Sequence, residues 1–247
     1  MDVLLKQIVP RTITQIFGAK HKFKQRTPSS VINFTRTMTT NRGALIVFEG
    51  CDHSGKTTQC NKLISSMNEK GLSVKSMRFP DRTTTIGQMI SSYLGNTCEI
   101  EDHAVHLLFS ANRWEMSEHE KLLQSGTTLI VDRYAYSGVA FTSAKQGFDM
   151  QWCKQPDIGL PKPDAVIYLT LSPEAAEKRG TFGKERYEKK EFQQKVSENF
   201  EKLKEDNWKV IDADKSVDDL HTELCDIVCE VIDAAQDKPL EQLWVDN

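Results

Sequence analysis

From residue 44 onward, short apolar runs alternate with stretches of helical spacing. ALIVFE, Ala44–Glu49, is apolar and β-branched and stops at a glycine, the pattern of a strand buried on both faces. Gly55–Lys70 follows with Leu63, Ile64 and Met67 at helical spacing and Gly71 as a stop. SVKSMRFP predicts a second strand closed by proline, Thr83–Leu94 a short helix closed by Gly95, and Glu101–Gln124 one long helix stopped by Gly126. TTLIV (Thr127–Val131) and DAVIYLTL (Asp164–Leu171) predict two further strands, the latter entered through GLPKP. SPEAAEKR predicts a helix with Ser172 at its cap and Pro173 at its first position. A glycine-spaced loop, a helix over about Lys189–Glu205, the strand WKVIDA and a helix over Ser216–Ala235 complete the order. Five strands alternating with helices predict an α/β fold, a five-stranded parallel sheet covered by helices on both faces. Ligands of such sheets sit beyond the carboxyl ends of the strands.

Composition changes this picture at one end only. Residues 1–40 hold seven Lys or Arg against the single acid Asp2, a net +6, which leaves −9 for the rest of a chain whose total is −3. Nine Ser or Thr residues share that segment, and VLLKQIVPRTITQIF can place apolar residues on one face and bases on the other. This composition is that of a mitochondrial transit peptide, the competing reading being a basic arm for nucleic acid. Met38 precedes the first strand directly, so initiation there would give a complete domain without the arm, and with it a cytosolic form. Domains are therefore expected at 1–40, the arm, and 41–247. An acidic core argues against nucleic acid as a partner. No apolar run approaches the roughly 18–20 residues of a membrane span. The six cysteines form no CxxC pair, and Cys225 and Cys229, at i and i+4, read as helix packing among reduced thiols.

Candidate chemistry begins at GCDHSGKT, Gly50–Thr57, which fits GxxxxGK[ST] between a strand and a helix. Gly50, Cys51, Asp52, His53, Ser54 and Gly55 curl backbone N–H groups inward, and the helix N-terminus with Thr58 adds positive potential for a phosphate chain. Lys56 supplies a point charge for the β and γ phosphates of ATP, and the Thr57 hydroxyl is placed for Mg²⁺. Asp132, ending TTLIVD, is the second candidate metal ligand, and Arg133 beside it could neutralise a transferring phosphoryl group.

An acceptor site is suggested by RFPDR and HLLFSANRWE. Phe109 and Arg113 stand at i and i+4 and could stack on a base and bond its edge, while Arg82 could grip a monophosphate. The competing reading makes both phenylalanines core and the arginines solvated. GALIVFEGCDHSGKTTQ, RFPDRTT, HLLFSANRWE, VDRYAYSGVAF, WCKQPDIGLPKPD and GKERYEKKEFQ, in this order, resemble the blocks of eukaryotic thymidylate kinase, a P-loop nucleoside monophosphate kinase fold with a short lid. The resemblance runs from Gly43 to PLEQLW.

The resemblance implies transfer of the ATP γ-phosphoryl group to dTMP, giving dTDP and ADP, in a homodimer. By position it implies that Phe109 stacks on thymine and Arg113 bonds its edge. It also implies that Arg82 and Arg133 hold the dTMP phosphate and that Phe79 and Pro80 shape the pocket wall. Ser137, Gly138 and Phe141 would line the base side, Gln193 would help close it, and Tyr187 would exclude a 2′-hydroxyl. Asp52 would reach the 3′-hydroxyl. The lid, about 179–193, would place Arg179 on ATP, with Lys215 near the adenine. Lys56, Arg133, His53 and Arg179 are the expected catalytic cations. His53 departs from the family, which commonly carries arginine there; histidine is only partly charged at neutral pH, so either phosphate proximity keeps it protonated, or Lys184 supplies the missing charge, or His53 merely caps the loop through a hydrogen bond. The alternatives are another nucleoside or nucleoside monophosphate kinase, and an ATP-binding regulator that transfers nothing.

Overall fold

The computed structural model describes residues 41–115, 119–179 and 185–245. The basic arm and Lys184 lie outside them, as does the rest of the lid over 180–184. Five parallel strands stand in the order β2-β3-β1-β4-β5: β1 (Leu45–Glu49), β2 (Val74–Arg78), β3 (Thr128–Asp132), β4 (Ala165–Thr170) and β5 (Trp208–Asp212). The three central strands are almost wholly buried, and the period of two still sorts their side chains. Leu45, Val47, Leu129, Val131, Val166 and Tyr168 enter one core cluster, whereas Ile46, Phe48, Ile130, Ile167 and Leu169 enter the other. Continuous hydrophobic runs are thus the mark of helices on both faces.

Helix α1 (Lys56–Glu69) and helix α9 (Val217–Ala235) cover the second face, burying Leu63 and Met67 against Leu220, Leu224 and Val228. The first face is covered by α4 (His119–Gln124), α5 (Ala135–Thr142) and α8 (Lys190–Leu203), through Leu123, Val139 and Phe200. The chain therefore leaves β1 on one face and β3 on the other, which opens a crevice between their carboxyl ends. Helix α2 (Thr85–Leu94), capped by the Thr84 hydroxyl, and α3 (Asp102–Trp114), capped by Glu101, form a third cluster beside that crevice. Helix α7 (Pro173–Arg179) follows β4, and the Ser172 hydroxyl accepts from Ala175 N–H as its cap.

Two expectations differ from the structure. The single helix predicted over Glu101–Gln124 is two elements, because the buried faces differ. Helix α3 buries the polar His106, Ser110, Asn112 and Arg113, while α4 buries Leu123 in the sheet core. Helix α5 gives no periodic signal, since it is buried nearly all round and its eight residues are mostly small. The short α6 (Met150–Lys154) and a 3-10 turn at Gln155–Asp157 complete the β3 to β4 connection. The chain's end is tied to this connection: Gly159 N–H donates to Leu243 O and Leu243 N–H to Leu160 O. None of the six cysteines is bridged.

Candidate active site

Gly50 leaves β1 with φ 146°, where a Cβ would stand 2.5 Å from the Leu169 carbonyl oxygen, so only glycine allows the loop to turn there. His53 and Gly55 also take positive φ, 63° and 96°, and the loop closes into the N-terminus of α1. Lys56 is buried and folds back over the loop, donating to Cys51 O at 2.7 Å and Ser54 Oγ at 3.2 Å. Burial and the nearby Arg133 push its ammonium down to about 8. Thr57 and Thr58 are exposed to the cleft, and Thr57 Oγ1 donates to Asp132 Oδ2 at 2.5 Å.

The end of β3 is built against this loop. Arg133 adopts φ 71° with its N–H on Phe48 O, a left-handed turn unusual for a bulky residue. Its guanidinium pairs with Asp52 Oδ1, donates to Gly50 O at 3.2 Å and lies 5.4 Å from the centre of the Phe141 ring. Burial alone would raise the Asp52 carboxyl, but Arg133 and Lys56 outweigh it and hold Asp52 below its ordinary value. The turn is secured from β1. Fully buried Glu49 accepts from Tyr134 N–H at 2.9 Å, Ser137 N–H at 3.0 Å and Ser137 Oγ at 2.5 Å, and burial raises its carboxyl despite those bonds.

A cleft of about 1210 Å³ runs from this loop to the cluster of α2 and α3. At the far end Phe79, Pro80, Phe109, Arg113, Gly138 and Phe141 line it. Phe79 is also core, packing on Tyr134 with ring centres 5.9 Å apart, so the two readings of that aromatic both hold. The RFPDR turn is held by Asn112, which accepts from Asp81 N–H at 2.8 Å and donates to Thr84 Oγ1 at 3.0 Å. At the near end Arg179 reaches Ser54 O and the carbonyls of Ala213 and Lys215. Lys56, Arg82, Arg113, Arg133, Arg179 and Lys215 are among the residues that line the cleft.

A family model described as thymidylate kinase matches residues 48–224. The chain is 54% identical over 211 residues to a thymidylate kinase from Danio rerio and 51% identical over 212 residues to one from Homo sapiens, in both cases across 84% of this chain and 100% of the relative. A thymidylate kinase from Arabidopsis thaliana is 48% identical over 240 residues, 96% of this chain and 88% of that one. The solved thymidylate kinase structure from Candida albicans superimposes with a TM-score of 0.74 at 38% identity, over 82% of this chain and 98% of the other. The chain belongs to the thymidylate kinase family.

Most of the thymidylate kinase positions named from sequence converge on this one cleft, with four qualifications. Gln193 does not line it. From behind, its amide donates to Asp52 Oδ2 at 2.6 Å and to Tyr187 O at 3.0 Å and accepts from Asp52 N–H at 3.0 Å, so it ties loop to lid exit. Arg82 pairs with Glu185 at 2.8 Å, a carboxylate at the position expected to meet phosphate. Tyr187 stacks on Phe192 at 5.2 Å and donates to Tyr93 OH at 3.1 Å, and burial raises its phenol far above the usual range. Lys215 pairs with Glu223 at 2.6 Å, and its neighbours Ser216 and Val217 line the same cleft. The sequence reading missed Glu49, Asn112 and Asp157 as site residues. Glu49 sat in plain view as the acid ending an apolar run, and Asn112 and Asp157 lay inside quoted blocks, but only tertiary contacts give them partners.

Proposed function

We propose that this chain transfers the γ-phosphoryl group of ATP to dTMP, giving dTDP and ADP in the synthesis of dTTP. One observation carries the reading: a phosphate loop with Lys56, Asp132 and Arg133 shares a single cleft with the aromatic and guanidinium pair Phe109 and Arg113. The acceptor oxygen is already anionic, so the work is alignment and charge neutralisation rather than base catalysis. Lys56, now donating to loop carbonyl and hydroxyl, would turn to the β and γ phosphates. Arg133 would lie between donor and acceptor phosphates, fixed by Asp52 and by the turn that Glu49 secures. His53, on the loop's crown and lining the cleft, and Arg179 would add cations from the two sides. Asp52, tied to Arg133 and Gln193, keeps lone pairs with which to accept from the 3′-hydroxyl. Arg82 would exchange Glu185 for the dTMP phosphate, and Tyr187 would crowd a 2′-hydroxyl.

The residues present also fit Mg²⁺. Asp132 Oδ1 is buried with no hydrogen-bond partner among the described residues, beside the Thr57 hydroxyl, a pair of hard oxygens of the kind that Mg²⁺ takes together with phosphate and water. Thr57 and Asp132 would hold it, and it would neutralise phosphate charge.

Steady-state ADP release with dTMP, dUMP, UMP and dCMP tests the function. dTMP should give the highest kcat/KM, with UMP at least about 100-fold lower for the clash at the ribose. Equal rates for all four would reject it. The net −9 of the domain argues against nucleic acid as a partner, and among the described residues no helix is long and apolar enough to cross a membrane. The arm fits a mitochondrial address, and the zebrafish relative matches over its whole length without needing the remaining 16% of this chain. A homodimer is supported by the exposed apolar residues Leu107 and Trp114 at i and i+7 on α3, next to exposed Trp152 and Ile158.

A further inference from the structure

Arg113 is held in an unusual way for a residue expected to read a ligand. It is 3% exposed, its partner Asp157 is 0% exposed, and the two form a side-on pair: Nε donates to Oδ1 at 3.0 Å and Nη2 to Oδ2 at 2.6 Å. Five N–H groups fan from a guanidinium. Asp157 takes one on Nε and one on Nη2, leaving both hydrogens of Nη1 and one of Nη2 at the end that lines the cleft with Phe109. The face of the group lies over Gly138, where an added Cβ would stand 2.8 Å from Nη2, 3.2 Å from Nη1 and 3.3 Å from Cζ.

Asp157 itself is immobilised. The 3-10 turn that carries it is gripped from α3, where Ser110 Oγ and Trp114 Nε1 both donate to Pro156 O at 2.9 and 2.8 Å and His106 Nε2 lies 2.9 Å from Cys153 O. On its other side the C-terminal segment pairs with Gly159 and Leu160. A solvated arginine would swing to suit any base. This one has its charge fixed, its plane fixed by Gly138 and its rotation fixed by two bonds to a buried carboxylate.

Resting on the reading of the site as the dTMP pocket, we infer that Asp157 is the positioning residue that sets base specificity. A guanidinium carries donors only, and by occupying the inner two of Arg113, Asp157 fixes the direction in which the remaining three N–H groups meet the base edge. A pyrimidine with a carbonyl at position 4, thymine or uracil, completes the arrangement. Cytosine, whose 4-amino group is itself a donor, meets donor with donor in a closed site. A site built in this way to bond one substrate group rejects an analogue that lacks it far more strongly than shape alone does.

The test compares Asp157→Asn with wild type for dTMP and dCMP. An asparagine places its own amide donor against one of the arginine N–H groups, so the guanidinium loses its bidentate seat. Expected are a rise of about tenfold or more in KM for dTMP, kcat at saturation within about twofold, an unchanged KM for ATP, and a fall of at least about tenfold in the dTMP to dCMP ratio of kcat/KM. A variant with lower activity on both nucleotides and an unaltered ratio would show a purely structural ion pair and overturn the assignment. If Asp157→Asn shows no cooperative melting transition, Gly138→Ala moves the same guanidinium while leaving Asp157 in place; a wild-type ratio in that variant overturns the assignment equally. Wild-type protein that does not turn over dTMP at all would reject the functional reading and this inference with it.

Discussion

At the scale of single residues, the chemistry of the loop depends on charges that are buried before ATP arrives. Lys56 is the clearest case, because burial and Arg133 bring it down to about 8. Its protonated form is therefore lost from the free protein as pH rises through that value. Bound ATP, a polyanion, would restore it. The expected outcome is a kcat/KM for ATP that falls above pH 8 while kcat at saturating ATP stays level, since the first reports free enzyme and the second the complex. Lys56→Arg, always charged, should give a lower but level kcat/KM profile over pH 7–9.5, and a wild-type inflection surviving in that variant would assign it elsewhere. Lys56 and Thr57 are legible from spacing because the loop's backbone geometry dictates them. Glu49 and Asp157 are not, because an acid at the end of a strand or in a turn acquires its meaning from what lies opposite.

At the scale of elements, α3 acts as a bracket. Its Asn112 holds the RFPDR turn, its Arg113 meets Asp157, and its His106 joins α5 to the end of α6 through Thr142 Oγ1 at 2.8 Å and Cys153 O at 2.9 Å. Burial, then Arg113, lowers His106 to about 4. An unfolded histidine titrates near 6.5, so between these values the unfolded chain binds more protons and stability rises with pH. Acidification from pH 7 to pH 5 should cost about 2 kcal/mol through this residue. Urea unfolding of wild type and His106→Gln at both pH values checks this: the variant should be less stable at pH 7 yet lose about 2 kcal/mol less on acidification, and equal losses would exclude His106 as the source. The bracket explains why one predicted helix became two elements. Apolar spacing recorded Leu123 in the core, whereas the polar inner face of α3 follows no hydrophobic period. Gly87 shows the same limit. In sequence it weakens α2, but in the structure a Cβ there would overlap the Asp81 carbonyl oxygen, so the glycine lets the helix and the RFPDR turn meet.

At the scale of the whole molecule, the arm and the kinase domain should separate functionally. Protein begun at Met38 is expected to keep kcat/KM for dTMP within about twofold of the full chain and to elute at a dimer's mass, while residues 1–40 fused to a fluorescent reporter should carry it into mitochondria. Light scattering and microscopy read these directly, and a monomeric mass or a diffuse reporter would refute the corresponding proposal. The sequence by itself determined the five alternating strands and helices, the phosphate loop with Lys56 and Thr57, and the resemblance that named the acceptor, because hydrophobic period and loop spacing are local. Only the tertiary structure decided how the carboxylates are used. Asp52, Asp157, Glu49 and Glu185 each hold an arginine or a helix start contributed from 44 to 103 positions away. Such pairings depend on which strand ends face one crevice, and that is fixed by sheet order and the faces on which the crossovers run.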